Sequence, residues 1–171
     1  MNYFKICMLL LGIHFCSLPV LAQDQTVILI RHAEKALNGG TDPGLSEQGQ
    51  QRANHLIELF NRLNPAAIYT TQYQRTQRTG QPLATALNIQ LTILAIDTDN
   101  TAQYPALLLE RICALPKNSN ALVIGHSNSI PAIFEAWTHD SVKPIKDDEF
   151  DRLFLVKLSN CQEIGYLDIR Y

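Results

Sequence analysis

The sequence predicts an α/β protein: a three-layer α/β/α sandwich whose mostly parallel sheet carries helices on both faces and ends in a C-terminal β-hairpin. Short aliphatic runs alternate with amphipathic segments along most of the chain, the order expected of strand and helix units. The first run, VILI at 27–30, is continuously aliphatic, as is typical of a strand covered on both faces. The last two runs are separated only by 159–163, which predicts a hairpin.

The individual elements follow from hydrophobic periodicity and from residues that start or stop helices. The predicted strands are 27–30, 67–70, 91–96, 121–124, 153–158 and 164–169. The predicted helices are 47–63, 76–87, 104–114 and 129–137. Ser46 is a favourable N-cap for the first helix, and Asn64 followed by Pro65 ends it. Pro105 suits the first turn of the third helix.

The start of the chain differs from the rest. A chain of 171 residues with 46% hydrophobic and 18% charged content suits one globular domain. At the start, however, Lys5 precedes an apolar run over 6–18, and small or aliphatic residues lead up to Ala22. We therefore predict a signal peptide over 1–22, a mature domain over 23–171, and export to the periplasm or the medium. An uncleaved membrane anchor is the alternative, but the run is shorter than the roughly 20 residues that span a bilayer.

The net charge indicates which classes of partner are unsuitable, and the cysteines relate to the redox state of the compartment. Lys5 is the only charged side chain in 1–22, so its removal changes the net charge from −2 to −3. A mildly acidic surface argues against general binding to nucleic acids or anionic membranes. Cys113 and Cys161 remain, and in an oxidising compartment they either pair or stay as two separately buried thiols. The sequence leaves both possibilities open, because it does not give the distance between their Cα atoms.

Charged and imidazole side chains gather where the predicted strands end. Arg31 and His32 follow the first strand, and His126 follows the fourth. The second strand leads into QYQRTQRT, which carries Arg75 and Arg78. Each residue alone has a local structural explanation. Because ligands of open parallel sheets bind beyond the carboxyl ends of the strands, we expect these side chains to approach one place.

Two imidazoles with guanidinium groups form a combination suited to phosphoryl transfer. Guanidinium groups match phosphoryl oxygens bidentately and stay charged at any working pH. Like charges nearby keep an imidazole neutral and therefore nucleophilic. One histidine could then attack phosphorus while the other groups hold the developing negative charge. We expect no metal or other cofactor, since no His, Cys and Asp cluster has ligand spacing and the arginines supply positive charge.

Five segments resemble, in the same order, the motifs of the histidine phosphatase superfamily, also called phosphoglycerate mutase-like. They are LIRHAEK, DPGLSEQGQQRA, IYTTQYQRTQRT, VIGHSNSIP and DEFDRLFLV. The resemblance extends from 27 to 156 and implies the phosphoglycerate mutase-like form of the predicted fold. Together with the predicted leader it points to a small secreted or periplasmic branch.

The resemblance also implies a role for each matching residue. His32 would be the nucleophile that becomes phosphorylated and is then released by water. Arg31 and Arg75 would bind the phosphoryl oxygens, and His126 would donate to the phosphoryl group in its charged form. Arg78 matches no such position, so we expect it on the surface.

The general acid that protonates the leaving oxygen is the least defined part of the expected site. In the family it is usually a carboxylate from the middle of the chain. The candidates here are Asp97 and Asp99, just after the third strand, which could equally be turn-forming residues. Glu34 is a further candidate, or it orients Arg31 or Lys35 through an ion pair.

We predict a phosphomonoester hydrolase that acts on a phosphorylated small molecule or a phosphorylated macromolecule. Short connections leave little chain for a lid, and ready access of water to a phosphohistidine favours hydrolysis over the transfer performed by a phosphomutase. Two other classes remain open. One is a non-catalytic module of the same fold that recognises phosphate, and the other is an envelope protein whose strand-end charges have no chemical role.

Overall fold

The computed structural model describes residues 24–38 and 40–171, so the predicted signal peptide lies outside the described residues. The strands are β1 (Asp24–Arg31), β2 (Ala67–Thr70), β3 (Leu91–Ile93), β4 (Asn120–Gly125), β5 (Arg152–Ser159) and β6 (Gln162–Arg170). The helices are α1 (Glu47–Phe60), α2 (Gln74–Ala86), α3 (Tyr104–Cys113) and α4 (Ser129–Thr138). In this described part no helix is long and apolar enough to cross a membrane. The predicted α/β fold and its C-terminal hairpin are confirmed.

All six strands belong to one sheet with the order β3-β2-β4-β1-β5-β6. The pairs β1–β4, β2–β4 and β2–β3 are parallel, whereas β5 is antiparallel to β1, and β6 to β5. The chain moves outward from β1 to β2 and β3 and then returns to place β4 between β1 and β2. The carboxyl ends of β1, β2 and β4 therefore lie next to one another at one edge of the sheet.

Two hydrophobic cores, one on each face of the sheet, give the three layers. Alternate residues of a strand point to opposite faces, and the strands divide their buried side chains accordingly. The core under α3 and α4 includes Val27, Leu29, Val123, Leu108, Ile130 and Phe134. The core under α1 and α2 includes Ile28, Ile30, Ile124, Leu56, Ile68 and Leu83. Burial on both faces explains why β1 and β4 read as continuous aliphatic runs.

The third strand is shorter than the predicted 91–96. Among the described strands β3 pairs only with β2, and the last residues in register are Thr70 and Ile93. Beyond them the side chain of Gln72 replaces a strand partner. Its Nε2 donates to the Ile96 carbonyl at 2.7 Å, and the Ile96 N–H donates to Gln72 Oε1 at 3.0 Å. The segment after β3 is therefore held as a loop at the carboxyl edge of the sheet.

The start of α1 is held close to the segment that follows β1. Ser46 caps the helix as predicted, since its Oγ accepts a hydrogen bond from the Gly49 N–H at 3.1 Å. A Cβ atom on Gly49 would lie 2.2 Å from the carbonyl oxygen of Glu34, so only glycine permits this approach. At its other end α1 continues as a 3₁₀ turn over Asn61–Leu63, within the predicted bounds. The LSEQG stretch thus fixes the backbone beside the first strand end.

Cys113 and Cys161 form a disulfide, with their Cα atoms 5.8 Å apart. The bond joins the last residue of α3 to the turn between β5 and β6. Of the two arrangements that the sequence left open, the structure has the paired one. The hairpin is thereby tied covalently to the helical layer on its side of the sheet.

Candidate active site

Two histidines lie side by side where β1 and β4 end. His32 directly follows β1, and His126 directly follows β4. The His32 backbone N–H donates to the Gly125 carbonyl at 2.9 Å, which continues the parallel pairing to the ends of both strands. The two ring centroids are 5.4 Å apart, and the ring planes are inclined by 66°. The structure therefore brings together two imidazoles that stand at separate strand ends in the sequence.

The His32 ring is buried, with 5% of the residue exposed, and its tautomer is defined. Nδ1 lies 2.8 Å from the Ala33 carbonyl oxygen, which can only accept, so Nδ1 carries the proton. Nε2 keeps its lone pair and bonds to none of the described residues. Burial lowers the pKa of His32 to about 4; the Ala33 bond opposes this shift, and the charges of Arg31 and Arg75 add to it. Desolvation, more than the guanidinium groups, keeps this ring neutral.

The peptide that fixes the His32 tautomer is itself held by α2. The Ala33 N–H donates to Thr79 Oγ1 at 2.9 Å, and that hydroxyl donates to the Arg75 carbonyl at 2.7 Å. Because a hydroxyl has one proton, its donation to Arg75 leaves it as the acceptor for Ala33. The first turns of α2 thus orient the backbone beside His32.

His126 is also buried, at 9% exposure, and is held through one ring nitrogen. Its Nε2 lies 3.0 Å from Thr71 Oγ1, and its backbone N–H donates to Ser129 Oγ at 2.9 Å. The edge of the ring meets Tyr73, with centroids 5.3 Å apart. Burial lowers the pKa of His126 to about 3, and the charge of Arg75 contributes further. This ring is therefore neutral in the free protein, whereas the charged form that the resemblance implies belongs to the complex with a phosphoryl group.

Arg31 is oriented by backbone carbonyls from the connection between α4 and β5. Its Nη1 donates to the carbonyls of Lys146, Asp147 and Glu149 at 2.7, 3.1 and 3.1 Å, and its guanidinium lies 4.3 Å from the centre of the Phe150 ring. Its Nε is buried without a partner among the described residues. Burial lowers the pKa of Arg31, yet a guanidinium keeps its charge in a protein. The residue is anchored on one side and still has donors for a ligand.

Arg75 supplies a second guanidinium from the first turn of α2. It lies 4.4 Å above the Tyr73 ring, and 18% of its side chain is exposed. Its Nη1 is 3.8 Å from Asp42 Oδ1, an ion pair too long for a hydrogen bond. The Tyr73 ring therefore orients this group, and its N–H donors stay available to an anion. Arg78, three residues on, is exposed as expected.

A cavity of about 570 Å³ opens over these side chains. His32, His126, Arg31 and Arg75 all line it, together with loops that follow β3 and β4. Its wall further includes Lys35, Asp97, Thr98, Thr101, Asn128 and Asp147. Within 24–38 and 40–171, no cluster of three or more His, Cys, Asp or Glu side chains could hold a metal ion. The cavity thus contains two neutral imidazole rings beside two positively charged guanidinium groups.

The three candidate acids have different surroundings. Asp97 lines the cavity, and its Oδ1 accepts hydrogen bonds from the N–H groups of Asp99 and Asn100 at 3.0 Å each. Asp99 is exposed and does not line the cavity, so the pair forms a turn of which only Asp97 faces the site. Glu34 does not pair with Arg31 or Lys35. Its carboxylate instead accepts hydrogen bonds from Arg52 of α1, at 2.8 to 3.1 Å.

Sequence reasoning missed several contributors to this site, of which Asp147 and Thr71 are examples. Asp147 lines the cavity, but it follows no predicted strand and lies just before the DEFDRLFLV segment, outside the quoted motif. Thr71 bonds to His126, and a signal for it was present, because it directly follows β2 as the histidines follow β1 and β4. Any short polar residue at that place in the chain faces the same edge of the sheet.

Comparisons with known proteins show what the chain is similar to in sequence and in fold. Residues 27–96 match the model of the histidine phosphatase superfamily, branch 1. A curated relative, phosphoserine phosphatase 1 of Hydrogenobacter thermophilus, is 35% identical over 71 residues, which are 38% of this chain and 34% of that protein. The chain thus spans about a third of the length of the curated relative it matches.

Solved structures show the same fold over most of the chain. A mycobacterial glucosyl-3-phosphoglycerate phosphatase has a TM-score of 0.66 at 14% identity, covering 86% of this chain and 98% of its own. A phosphoserine phosphatase from Entamoeba histolytica has a TM-score of 0.64 at 16% identity, covering 86% and 97%. The protein histidine phosphatase SixA has a TM-score of 0.62 at 15% identity, covering 85% and 96%. Residues 27–96 are thus similar to the histidine phosphatase superfamily, and the solved structures show the fold over most of the chain.

Proposed function

We propose that this protein is a phosphomonoester hydrolase that works through a phosphohistidine on His32. The observation that carries the proposal is the tautomer of His32. Its Nδ1–H is committed to the Ala33 carbonyl, so the Nε2 lone pair is available at a cavity that Arg31 and Arg75 also line. An activated nucleophile beside fixed anion-binding groups is what phosphoryl transfer requires.

The reaction has two steps. In the first, the Nε2 lone pair of His32 forms a bond to phosphorus while the bond between phosphorus and the ester oxygen breaks. The leaving oxygen takes up a proton and departs as an alcohol. Arg31, Arg75 and His126 stabilise the charge on the phosphoryl oxygens. In the second step a water oxygen attacks phosphorus and gives up a proton, the nitrogen–phosphorus bond breaks, and phosphate leaves with His32 restored.

We assign the protonation of the leaving oxygen to Asp97. It lines the cavity with the nucleophile, which supports it over Asp99. The N–H groups of Asp99 and Asn100 hold its Oδ1 in place. Esters with good leaving groups, such as aryl phosphates, need this proton least and are therefore the most suitable first substrates.

Two other functions would use the same residues. A phosphate-recognising module would bind an anion through Arg31, Arg75 and His126 without turnover. A phosphomutase would return the phosphoryl group from His32 to a second alcohol before water reached it. The cavity opens over His32, so water can reach a phosphohistidine there, which supports hydrolysis over transfer.

The size of the site supports a small phosphorylated molecule as the substrate. A cavity of about 570 Å³ lies within the usual range for small-molecule sites, roughly 300 to 1,000 Å³. Phosphoserine and glucosyl-3-phosphoglycerate, which appear in the names of relatives, are molecules of this kind. SixA is named a protein histidine phosphatase, so a phosphorylated macromolecule is the alternative substrate.

We also propose that the protein works in the periplasm or the medium after removal of 1–22. The apolar run near the N-terminus supports export, and so does the Cys113–Cys161 disulfide, because disulfides persist mainly in oxidising compartments. A net charge of −3 without Lys5 supports a function apart from nucleic acids.

Phosphate release and labelling after an alkaline denaturing quench test the proposed reaction. With an aryl phosphate we expect steady release of inorganic phosphate, and a brief reaction with labelled substrate should leave acid-labile label on His32. Binding of phosphate without release would favour the recognition module. Efficient interconversion of phosphoglycerates with negligible hydrolysis would favour the mutase. Label on another residue would remove the assignment of the nucleophile.

The pH dependence of kcat/KM tests the neutral state of His32. Since the free protein holds the pKa of this ring at about 4, protonation should reduce kcat/KM only as the pH falls through about 4. An ordinary histidine would lose activity already near pH 6.5. Measurement between pH 3 and 8 with an aryl phosphate, together with circular dichroism to exclude unfolding, distinguishes the two. An acid limb near 6.5 would contradict the buried, neutral nucleophile.

A further inference from the structure

We propose that Thr71 is a positioning residue that fixes which nitrogen of His126 meets the phosphoryl group. The inference rests on the proposed phosphatase function and extends it to residues outside the motif histidines and arginines. Thr71 and Thr76 link the second strand end, the first turns of α2 and the His126 ring through hydroxyl groups. We call this chain of hydrogen bonds the threonine relay. It runs from His126 Nε2 through Thr71 and Thr76 to a backbone carbonyl.

The distances in the relay are those of ordinary hydrogen bonds. His126 Nε2 lies 3.0 Å from Thr71 Oγ1, and Thr71 Oγ1 lies 2.9 Å from Thr76 Oγ1. Thr76 Oγ1 lies 2.8 Å from the Tyr73 carbonyl and 3.1 Å from the Thr71 carbonyl. Thr71 is 1% exposed and Thr76 is fully buried, so their hydroxyl groups depend on these partners.

Each threonine hydroxyl has one proton, and this determines which group donates in each hydrogen bond of the relay. A carbonyl oxygen can only accept, so the single proton of the Thr76 hydroxyl is used on a carbonyl. The hydrogen bond between the two threonines must then be donated by Thr71, which uses the only proton of that hydroxyl. Thr71 can therefore only accept from His126. It follows that Nε2 of His126 carries a proton, and Nδ1 is the nitrogen without a hydrogen bond to the described residues.

Donation in the opposite direction is less favourable, because it leaves a backbone carbonyl without a donor. If Thr76 donated to Thr71, and Thr71 to Nε2, the Thr76 proton would be withdrawn from both carbonyls. The Tyr73 carbonyl has backbone donors as well, from Thr76 and Gln77. The Thr71 carbonyl, however, has the Thr76 hydroxyl as its donor. Reversal would leave that carbonyl unpaired beside two buried hydroxyl groups, which carries a desolvation cost.

The direction of the relay determines how the site meets a phosphate. In the ligand-free ring Nδ1 presents a lone pair, which repels a phosphoryl oxygen. A hydrogen bond forms only when one proton lies between Nδ1 and that oxygen. The proton must therefore enter with the substrate, either on a monoanionic phosphoryl group or from solvent. With Nε2–H held by Thr71, the proton can be placed on the Nδ1 side alone.

The surroundings of His126 oppose protonation until an anion is bound. Arg75 from α2, and Arg31 and His32 from the end of β1, face the ring and disfavour its positive charge. Tyr73 meets its edge, and the carboxylates of Asp97 and Asp147 are on the cavity wall. A bound phosphoryl group adds negative charge at the centre of this set. Phosphate binding should therefore be linked to the uptake of one proton.

The test compares Thr71→Val, which removes the hydroxyl at nearly constant shape, with Thr71→Ser, which keeps it. Thr85→Val, an exposed position of α2, is the control for the substitution itself. The first readout is the ¹⁵N spectrum of the His126 ring in the ligand-free protein. We expect the Nε2–H tautomer in wild type and in Thr71→Ser, and a mixture of tautomers in Thr71→Val. This readout does not require turnover.

The second readout is kinetic. Thr71→Val should lower kcat/KM for an aryl phosphate at least about 10-fold and change its pH profile, because wrong tautomers in other hydrolases cost up to about 10⁴-fold. Thr71→Ser should restore most of the activity, and Thr85→Val should leave it unchanged. An Nδ1–H tautomer in wild type, or a Thr71→Val protein with unaltered spectrum and pH profile, would overturn the inference. Absence of turnover in every protein with the expected spectra would instead remove the proposed phosphatase and leave the relay intact.

Discussion

Replacing His32 by asparagine should lower kcat for phosphomonoester hydrolysis by at least about 10⁴-fold while the protein stays folded and still binds an anion. Asparagine places an amide nitrogen near the position of Nδ1, so the hydrogen bond to the Ala33 carbonyl can be kept. It offers no counterpart of the Nε2 lone pair, and no bond to phosphorus can form. Arg31, Arg75 and His126 remain to hold a phosphate.

Three measurements make this prediction specific. Steady-state hydrolysis of an aryl phosphate gives kcat, and thermal unfolding with and without inorganic phosphate reports folding and anion binding. An alkaline denaturing quench after brief reaction with labelled substrate reports covalent label. His55→Asn is the matched control, because His55 is an exposed histidine of α1 that pairs with Glu58. We expect the control to match wild type throughout. A His32→Asn protein that keeps more than about a tenth of the wild-type rate would show that another residue is the nucleophile.

The parts of the site that depend on strand ends could be predicted from the sequence. A continuous aliphatic run defines a buried strand, and the polar residue after it must stand at the edge of the sheet. That reasoning located His32 and His126, and the structure has them 5.4 Å apart. The position after the second strand indicated Arg75 and Arg78 alike, and the family resemblance selected Arg75. In the structure α2 begins at Gln74, two residues before the predicted start, and carries Arg75 in its first turn.

Other parts could not be predicted, because they depend on contacts between distant segments. The carbonyls that hold Arg31 come from Lys146, Asp147 and Glu149, more than a hundred residues away in the sequence. Their positions depend on how the connection from α4 to β5 folds, for which the sequence has no periodicity. The early end of β3 has a similar cause, because an edge strand can pair only as far as its neighbour extends.

The pKa values of the two histidines also depend partly on features visible in the sequence and partly on the packed structure. The sequence predicted a neutral nucleophile from neighbouring guanidinium groups, and these do lower the pKa of His32. Burial, however, is the larger cause, and depth of burial is a property of the packed structure. Burial is also the larger cause for His126, and we propose that this ring, neutral in the free protein, gains its proton when a phosphoryl group binds.

Removing the Cys113–Cys161 disulfide should cost about 4 kcal/mol of unfolding free energy, because the bond closes a loop with a sequence separation of 48. For a domain of this size that corresponds to a fall in Tm of roughly 10 °C. Activity at 25 °C should change little. The bond lies at the end of α3, whereas Tyr104 and Pro105, at the start of the same helix, line the cavity. Thermal unfolding and aryl phosphate hydrolysis of the Cys113→Ser/Cys161→Ser protein give the two quantities.

Reduction separates the effect of the bond from the effect of the substitutions. A thiol reductant should lower the Tm of the wild-type protein towards that of the double serine variant, and should leave the Tm of the variant unchanged. The single variants Cys113→Ser and Cys161→Ser should behave like the double one, since either removes the bond. If wild type and the double variant unfold at the same temperature without reductant, the loop-closure argument is wrong, and packing at the two ends of the bond already fixes the hairpin against α3.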